Sequence, residues 1–186
     1  MPDFSPAKSA LLVIDLQTGM FNGERIPPIH AGDALLEHTT RALADARQAG
    51  MPVFYIRHRG PAGHLLELGT ANWQIHPAIA PLPGEPVIDK RRPDSFHETS
   101  LISALEAAGI GRLIVMGAQT EVCVDTTCRR ASSLGFEVVL VSDGHSTWDN
   151  ATLTADQIIR HTNETLAGRF VRLAQHAELG QELRGA

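Results

Sequence analysis

Residues 10–15 read Ala10-Leu11-Leu12-Val13-Ile14-Asp15, an unbroken apolar run that stops on a carboxylate. Successive strand side chains point to opposite faces, so a strand with no polar alternation is buried on both sides, as in a parallel sheet covered by helices. Its acid emerges where the strand ends. The same grammar repeats downstream. Val53-Phe54-Tyr55-Ile56 follows Pro52 and stops at Arg57-His58-Arg59, and the brief Pro86-Val87-Ile88-Asp89 delivers Lys90. Leu113-Ile114-Val115-Met116 closes at Gly117, and Phe136 to Val141 ends at Ser142-Asp143-Gly144. The short stretch Arg169-Phe170-Val171-Arg172-Leu173 fits either an edge strand or an extension of the helix before it.

Between these strands the apolar spacing becomes helical. Residues 32–49 place Leu35, Leu36, Thr39, Leu43 and Ala46 on one face, with Gly50 as the stop. Thr99 to Ala108, Glu121 to Leu134 and Ala155 to Leu166 follow the same pattern, the first two closed by Gly109 and Gly135. Strands alternating with amphipathic helices predict βαβ units: an α/β fold in three layers, α/β/α, around a mostly parallel sheet. Such sheets bind ligands beyond the carboxyl ends of their strands, where the winding reverses. Asp15, Lys90 and the loop before Cys123 all fall there. The proline- and glycine-rich stretch from Gly60 to Pro86 has weak periodicity, and irregular segments of that length usually carry function or contacts.

The chain has 186 residues, 43% of them apolar and 20% charged, which suits one ordinary globular domain over residues 1–186. A net charge of -5 offers no basic stripe for nucleic acid, and no segment approaches the roughly 18 consecutive apolar residues of a membrane span. Only two cysteines, Cys123 and Cys128, are present, too few for a disulfide framework or a thiolate-rich metal site. They read as thiols. With an N-terminus that lacks the layout of a signal peptide, the expected setting is a reducing, cytoplasmic compartment.

Gly117-Ala118-Gln119-Thr120-Glu121-Val122-Cys123 runs from a strand through a turn to a cysteine near a helix start. Backbone N–H groups there favour the thiolate, the nucleophilic form, which makes Cys123 a candidate nucleophile. The plain alternative is a small buried residue. Such a nucleophile needs a base, and Asp15 at its strand end suits that task, while Lys90 suits the charge balance of both partners. Each also has an ordinary reading, Asp15 as a turn cap and Lys90 as a solvated surface charge. Cys128, five positions further along the helix, reads as a packing residue.

Three segments together narrow the choice. Leu12-Val13-Ile14-Asp15-Leu16-Gln17, Asp89-Lys90-Arg91-Arg92-Pro93-Asp94-Ser95-Phe96 and Gly117 through Thr127 resemble, in order and spacing, the signatures of the isochorismatase-like cysteine hydrolases, a family that includes nicotinamidases and N-carbamoylsarcosine amidohydrolase. The resemblance runs from about residue 8 to residue 170. It implies a six-stranded sheet flanked by helices, an Asp15-Lys90-Cys123 triad, and a cis peptide between Ala118 and Gln119. It further implies an oxyanion hole from the N–H groups of Gln119 and Cys123. The implied reaction is thiolate attack on an amide, carbamoyl or ureido carbon, departure of an amine protonated by Asp15, and hydrolysis of the thioester. No cofactor is needed. Members of such a family usually form dimers or tetramers, so a homo-oligomer is expected, with the Gly60–Pro86 segment as a plausible interface.

Departures from the family pattern are informative. Nicotinamidases carry an Asp-x-His metal motif, but here the second strand ends Tyr55-Ile56-Arg57-His58. His58, His64 and His76 follow no metal-ligand spacing, so no metal is expected. Vinyl-ether hydrolysis of the isochorismatase type needs no cysteine, and Cys123 argues against it; a catalytically idle binding or assembly subunit is the third reading. For the small-molecule substrate, Met20, Phe21 and Trp73 could furnish apolar walls, or equally serve as core or subunit contacts. Arg57, Arg91, Arg92 and His145 also follow strands and could hold a carboxylate or polar tail.

Overall fold

The apolar run at residues 10–14 lies within a central strand, β1 (Lys8–Ile14), flanked on both sides. The structure is a computed structural model that describes residues 8–182. After β1 come α1 (Gly32–Gln48), β2 (Val53–His58), β3 (Val87–Lys90), α2 (Leu101–Ala107) and β4 (Ile110–Ala118). The chain continues with α3 (Asp125–Ser133), β5 (Glu137–Ser146), α4 (Ala155–Leu166), β6 (Arg172–Ala174) and α5 (Leu179–Glu182). The strands form one sheet ordered β3-β2-β1-β4-β5-β6, and every neighbouring pair is parallel. Winding runs outward from β1 to β3, then restarts at β4 on the other side of β1. The switch point therefore lies between the carboxyl ends of β1 and β4, where ligand crevices form in such sheets.

Period-two alternation sorts the core into two faces. Leu11 and Val13 pack with Tyr55, Ile114, Met116 and Val139 beneath Leu35, Leu43 and Ala46 of α1. Ala10, Leu12 and Ile14 face the other way, against Leu101 and Leu105 of α2, Cys128 and Ala131 of α3, and Leu166 of α4. Cys128 is thus a packing residue. Helices cover both faces, giving three layers. Among the described residues no helix is long and apolar enough to cross a membrane.

Local chemistry explains most boundaries. Thr154 caps α4 by accepting from the Gln157 N–H, while the Gln157 side chain accepts from the Thr154 N–H, a reciprocal box that satisfies two orphan donors. Gly50 takes φ 68° just past α1, a left-handed stop that an L side chain resists. Several boundaries differ from the sequence expectation. β5 does not end at Ser142-Asp143-Gly144; those turn-like residues form an irregularity inside it, because pairing with β4 jumps from Val115↔Leu140 to Gly117↔His145. The helix expected from Glu121 begins as a wider π-helical turn, Thr120–Val124, that runs into α3. Of the two readings of residues 169–173, edge strand or helix extension, the strand is found, as β6, shifted to Arg172–Ala174.

The Gly60–Pro86 stretch contains two short 3-10 turns, Ala71–Trp73 and Pro77–Ile79. It folds back on the chain just after β1: the Thr18 N–H donates to Gln74 O, and the His76 N–H to Leu16 O. Tyr55 on β2 donates its hydroxyl to Ile79 O at 2.9 Å, anchoring the far end.

Candidate active site

Asp15 is the first residue beyond β1, held at φ 54°, a left-handed conformation uncommon outside glycine that lets the chain turn away while the carboxylate stays under the sheet end. Two strands away, Lys90 closes β3. Its side chain reaches past β2, so that Nζ lies 2.6 Å from Asp15 Oδ2 with both side chains wholly buried. The same Nζ donates to Cys123 Sγ at 3.1 Å and to Arg92 O at 3.1 Å. The three residues that the sequence scatters over more than a hundred positions are thus one buried cluster, with Lys90 as its hub.

Cys123 enters the cluster because β4 approaches β1 closely. At Gly117, φ is 142°, and an added Cβ would stand 2.2 Å from Ile14 O, so no larger residue fits beside the last residue of β1. Directly after it the Ala118–Gln119 peptide bond is cis. The Val122 and Val124 N–H groups then both donate to Gln119 O, winding the π turn that carries Cys123. A second network braces this turn. Asn163 donates to Ser142 O at 3.0 Å, leaving its own oxygen to accept from His145 Nε2 at 3.0 Å. His145 Nδ1 therefore accepts from the Thr120 hydroxyl at 2.9 Å, and the ring is the neutral Nε2–H tautomer. Burial pushes the His145 ring down to about 4, which keeps it uncharged.

Gln17 supports the other wall. Fully buried, it donates Nε2 to His58 O and Trp73 O and accepts from the His58 N–H, clasping the end of β2 and the 3-10 turn to the residues after Asp15. It lies inside the first family-like segment, the only signal of it in the sequence. His145, by contrast, is no surface group for a substrate tail; it is a buried brace, and the position after a strand concealed that role.

Electrostatics correct one expectation. Burial pushes the Cys123 thiol up, the Asp15 charge adds to this, and the Lys90 ammonium offsets only part, leaving it at about 12. Proximity to a helix start does not produce a resting thiolate, because desolvation beside a carboxylate outweighs it. Burial also works against a charged Lys90, but Asp15 and Cys123 overcome it and hold the ammonium above its ordinary value. Asp15 Oδ1 is buried without a hydrogen-bond partner among the described residues. The site at rest thus sets a protonated thiol beside the buried Asp15–Lys90 pair.

The remaining candidates scatter. Met20 is 6% exposed and belongs to the α1-side core, so it takes the core reading rather than the pocket wall. Phe21 is half-buried and meets the His76 ring edge-on at 5.0 Å. Trp73 lies under Arg57, whose guanidinium carbon is 3.4 Å from the ring centroid, and Arg57 is also paired with Asp89 at 2.7 Å. Arg91 and Arg92 instead line a cavity of about 280 Å3 beside Lys90, with Arg59, His97 and Glu98. His58 and His64 lie 5.2 Å apart, ring to ring, and no third metal-binding group among the described residues joins them or His76.

The sequence model of the Isochorismatase domain matches residues 9–177. The chain belongs to the isochorismatase family. Among its family relatives, a streptothricin hydrolase of Streptomyces noursei is 39% identical over 140 residues, covering 75% of this chain and 50% of that protein. The chain thus spans about half the length of that relative. A ureidoacrylate amidohydrolase of Cronobacter sakazakii is 29% identical, with 75% of each protein covered. Of solved family structures, an isochorismatase from Pseudomonas putida superposes with a TM-score of 0.87 at 32% identity, over 95% of this chain and 93% of that one.

Proposed function

We propose that the chain is a cysteine hydrolase that cleaves a C–N bond in a small amide, carbamoyl or ureido compound, with Cys123 as nucleophile, Asp15 as general base and acid, and Lys90 as electrostatic hub. The observation that carries this reading is the Lys90 Nζ held 2.6 Å from Asp15 and 3.1 Å from Cys123, all three residues buried. The names of the streptothricin hydrolase and ureidoacrylate amidohydrolase relatives support the reaction class.

In the first step the Asp15 carboxylate takes the Cys123 proton as the sulfur bonds to the carbonyl carbon. Lys90 favours this transfer because it pairs with whichever partner is anionic, so the ion pair is exchanged and not broken. The carbonyl oxygen becomes an oxyanion, received by the N–H groups of Gln119 and Cys123, donors of a kind worth about 2.7–4 kcal/mol each in acyl transfer. Collapse expels the nitrogen, which takes the proton from Asp15 and leaves as amine or ammonia. The resulting thioester is attacked by water, Asp15 again accepting a proton, and acid and free thiol are released. No cofactor enters this scheme. The thiol requires a reducing setting.

Ammonia release across primary amides, carbamoyl and ureido compounds tests it. Turnover of one class that disappears with Cys123→Ala and with iodoacetamide is the expected result. Turnover that survives Cys123→Ala overturns the nucleophile, and hydrolysis confined to vinyl ethers overturns the reaction class.

A further inference from the structure

Arginine is paired through most of this chain. Arg41, Arg47, Arg57, Arg112, Arg129 and Arg160 each meet a carboxylate within 3.0 Å. Among the described residues, the guanidinium groups of Arg59, Arg91 and Arg92 meet none and make no hydrogen bond. These three gather in one place. Arg59 and Arg91 line two adjoining cavities of about 510 and 280 Å3, and Arg92 lines the smaller.

A shortage of acids does not explain the gathering, since the net charge is -5 and three carboxylates line the same cavities. Each is committed elsewhere or turned to solvent. Asp89 gives both oxygens to Arg57, Glu67 accepts from the Gly63 N–H at 2.8 Å, and Glu98 lies 3.8 Å from His97 with 81% of its side chain exposed. Arg59 is half-buried, so its charge gives up part of its hydration without gaining a partner from the protein. All three arginines are fixed around Lys90. The Arg59 N–H donates to Lys90 O at 2.7 Å, Arg91 is next in the chain, and Lys90 Nζ donates to Arg92 O at 3.1 Å. Lys90 also lines the smaller cavity while its ammonium holds Cys123, so cavity and sulfur are separated by no more than one lysyl side chain.

A guanidinium is a planar fork that meets carboxylate or phosphate oxygens two at a time, and it stays charged at any working pH. We infer that Arg59, Arg91 and Arg92 form an oxyanion-binding site whose ligand is the carboxylate or phosphate group of a small molecule. Two sources share that chemistry: an anionic tail on the molecule cut at Cys123, or a separate anion. Only the first rests on the proposed amidohydrolase reading. Arg57, already held by Asp89 and Trp73, has no such vacancy.

The test titrates inorganic phosphate, and separately succinate, into the full-length protein at fixed ionic strength, with calorimetry as the readout. Saturable binding at one site per chain is expected. Arg59→Gln and Arg91→Gln should each weaken it by about tenfold or more, while Arg169→Gln, at an exposed arginine that lines neither cavity, should leave it unchanged. Arg91 is exposed, so Arg91→Gln keeps the test decisive if Arg59→Gln fails to fold. No saturable binding by the parent, or binding unchanged in Arg91→Gln, overturns the site. Turnover of a ureido acid against its methyl ester then separates the sources. Phosphate that competes with the acid, and a preference for the acid that Arg91→Gln removes, assign the site to the substrate's tail; phosphate that binds without competing assigns it to a separate anion. A parent that binds phosphate but hydrolyses no amide or ureido compound overturns the amidohydrolase reading and leaves the site intact.

Discussion

Two ion pairs sit at the same end of the sheet and share adjacent residues of β3, yet they do different work. Lys90 pairs with Asp15 at 2.6 Å, both side chains at or below 1% exposure. Asp89, its neighbour, points to the other side and takes a bidentate pair from Arg57, with 34% and 17% of the two side chains exposed. The outer pair is satisfied: the carboxylate has both oxygens engaged and the guanidinium lies flat on Trp73. The inner pair is deliberately incomplete, with one Asp15 oxygen unpartnered and the ammonium shared with a thiol. Burying charge without full compensation costs stability, which fits the chemical role proposed for the inner pair, while the outer pair joins β2 to β3 at the edge of the sheet.

This contrast can be broken in graded ways. Cys123→Ala should lower turnover by about a thousandfold or more while leaving the melting midpoint nearly unchanged, since only a small buried thiol is lost. Lys90→Met should remove activity and also destabilise the fold by about 3–5 kcal/mol, because Asp15 is then a buried charge without a partner; urea unfolding measures it. Asp89→Ala, breaking the outer pair, should cost about 1 kcal/mol or less in the same assay. Between these extremes lies His145. Its folded value near 4 is below the ordinary 6.5, so the unfolded chain binds the proton more readily. Stability should be full above about pH 6.5 and fall by on the order of 3 kcal/mol as pH drops toward 4, a slope that His145→Asn flattens.

Much of this contrast was visible along the chain. Asp15, Lys90 and the turn before Cys123 announce themselves because buried parallel strands are apolar until they end, so the first polar residue marks the functional rim. Met20, His145 and Arg57 did not, for one reason. Each follows or ends a strand as the site residues do, and position along a strand does not say whether a side chain meets core, solvent or crevice. The boundary of β5 failed similarly, since Ser142-Asp143-Gly144 has turn chemistry but is bypassed inside the strand, pairing with β4 resuming beyond it at Gly117↔His145.

The sequence by itself determined the layers, the parallel sheet and the three residues at its rim, because apolar periodicity and strand ends are local properties. Only the tertiary structure decided that Lys90, starting two strands away, bridges Asp15 and Cys123. It alone decided that the thiol rests protonated and that Arg59 joins Arg91 and Arg92 around one cavity. Distance, desolvation and convergence belong to packing between elements, and no single stretch of chain contains them.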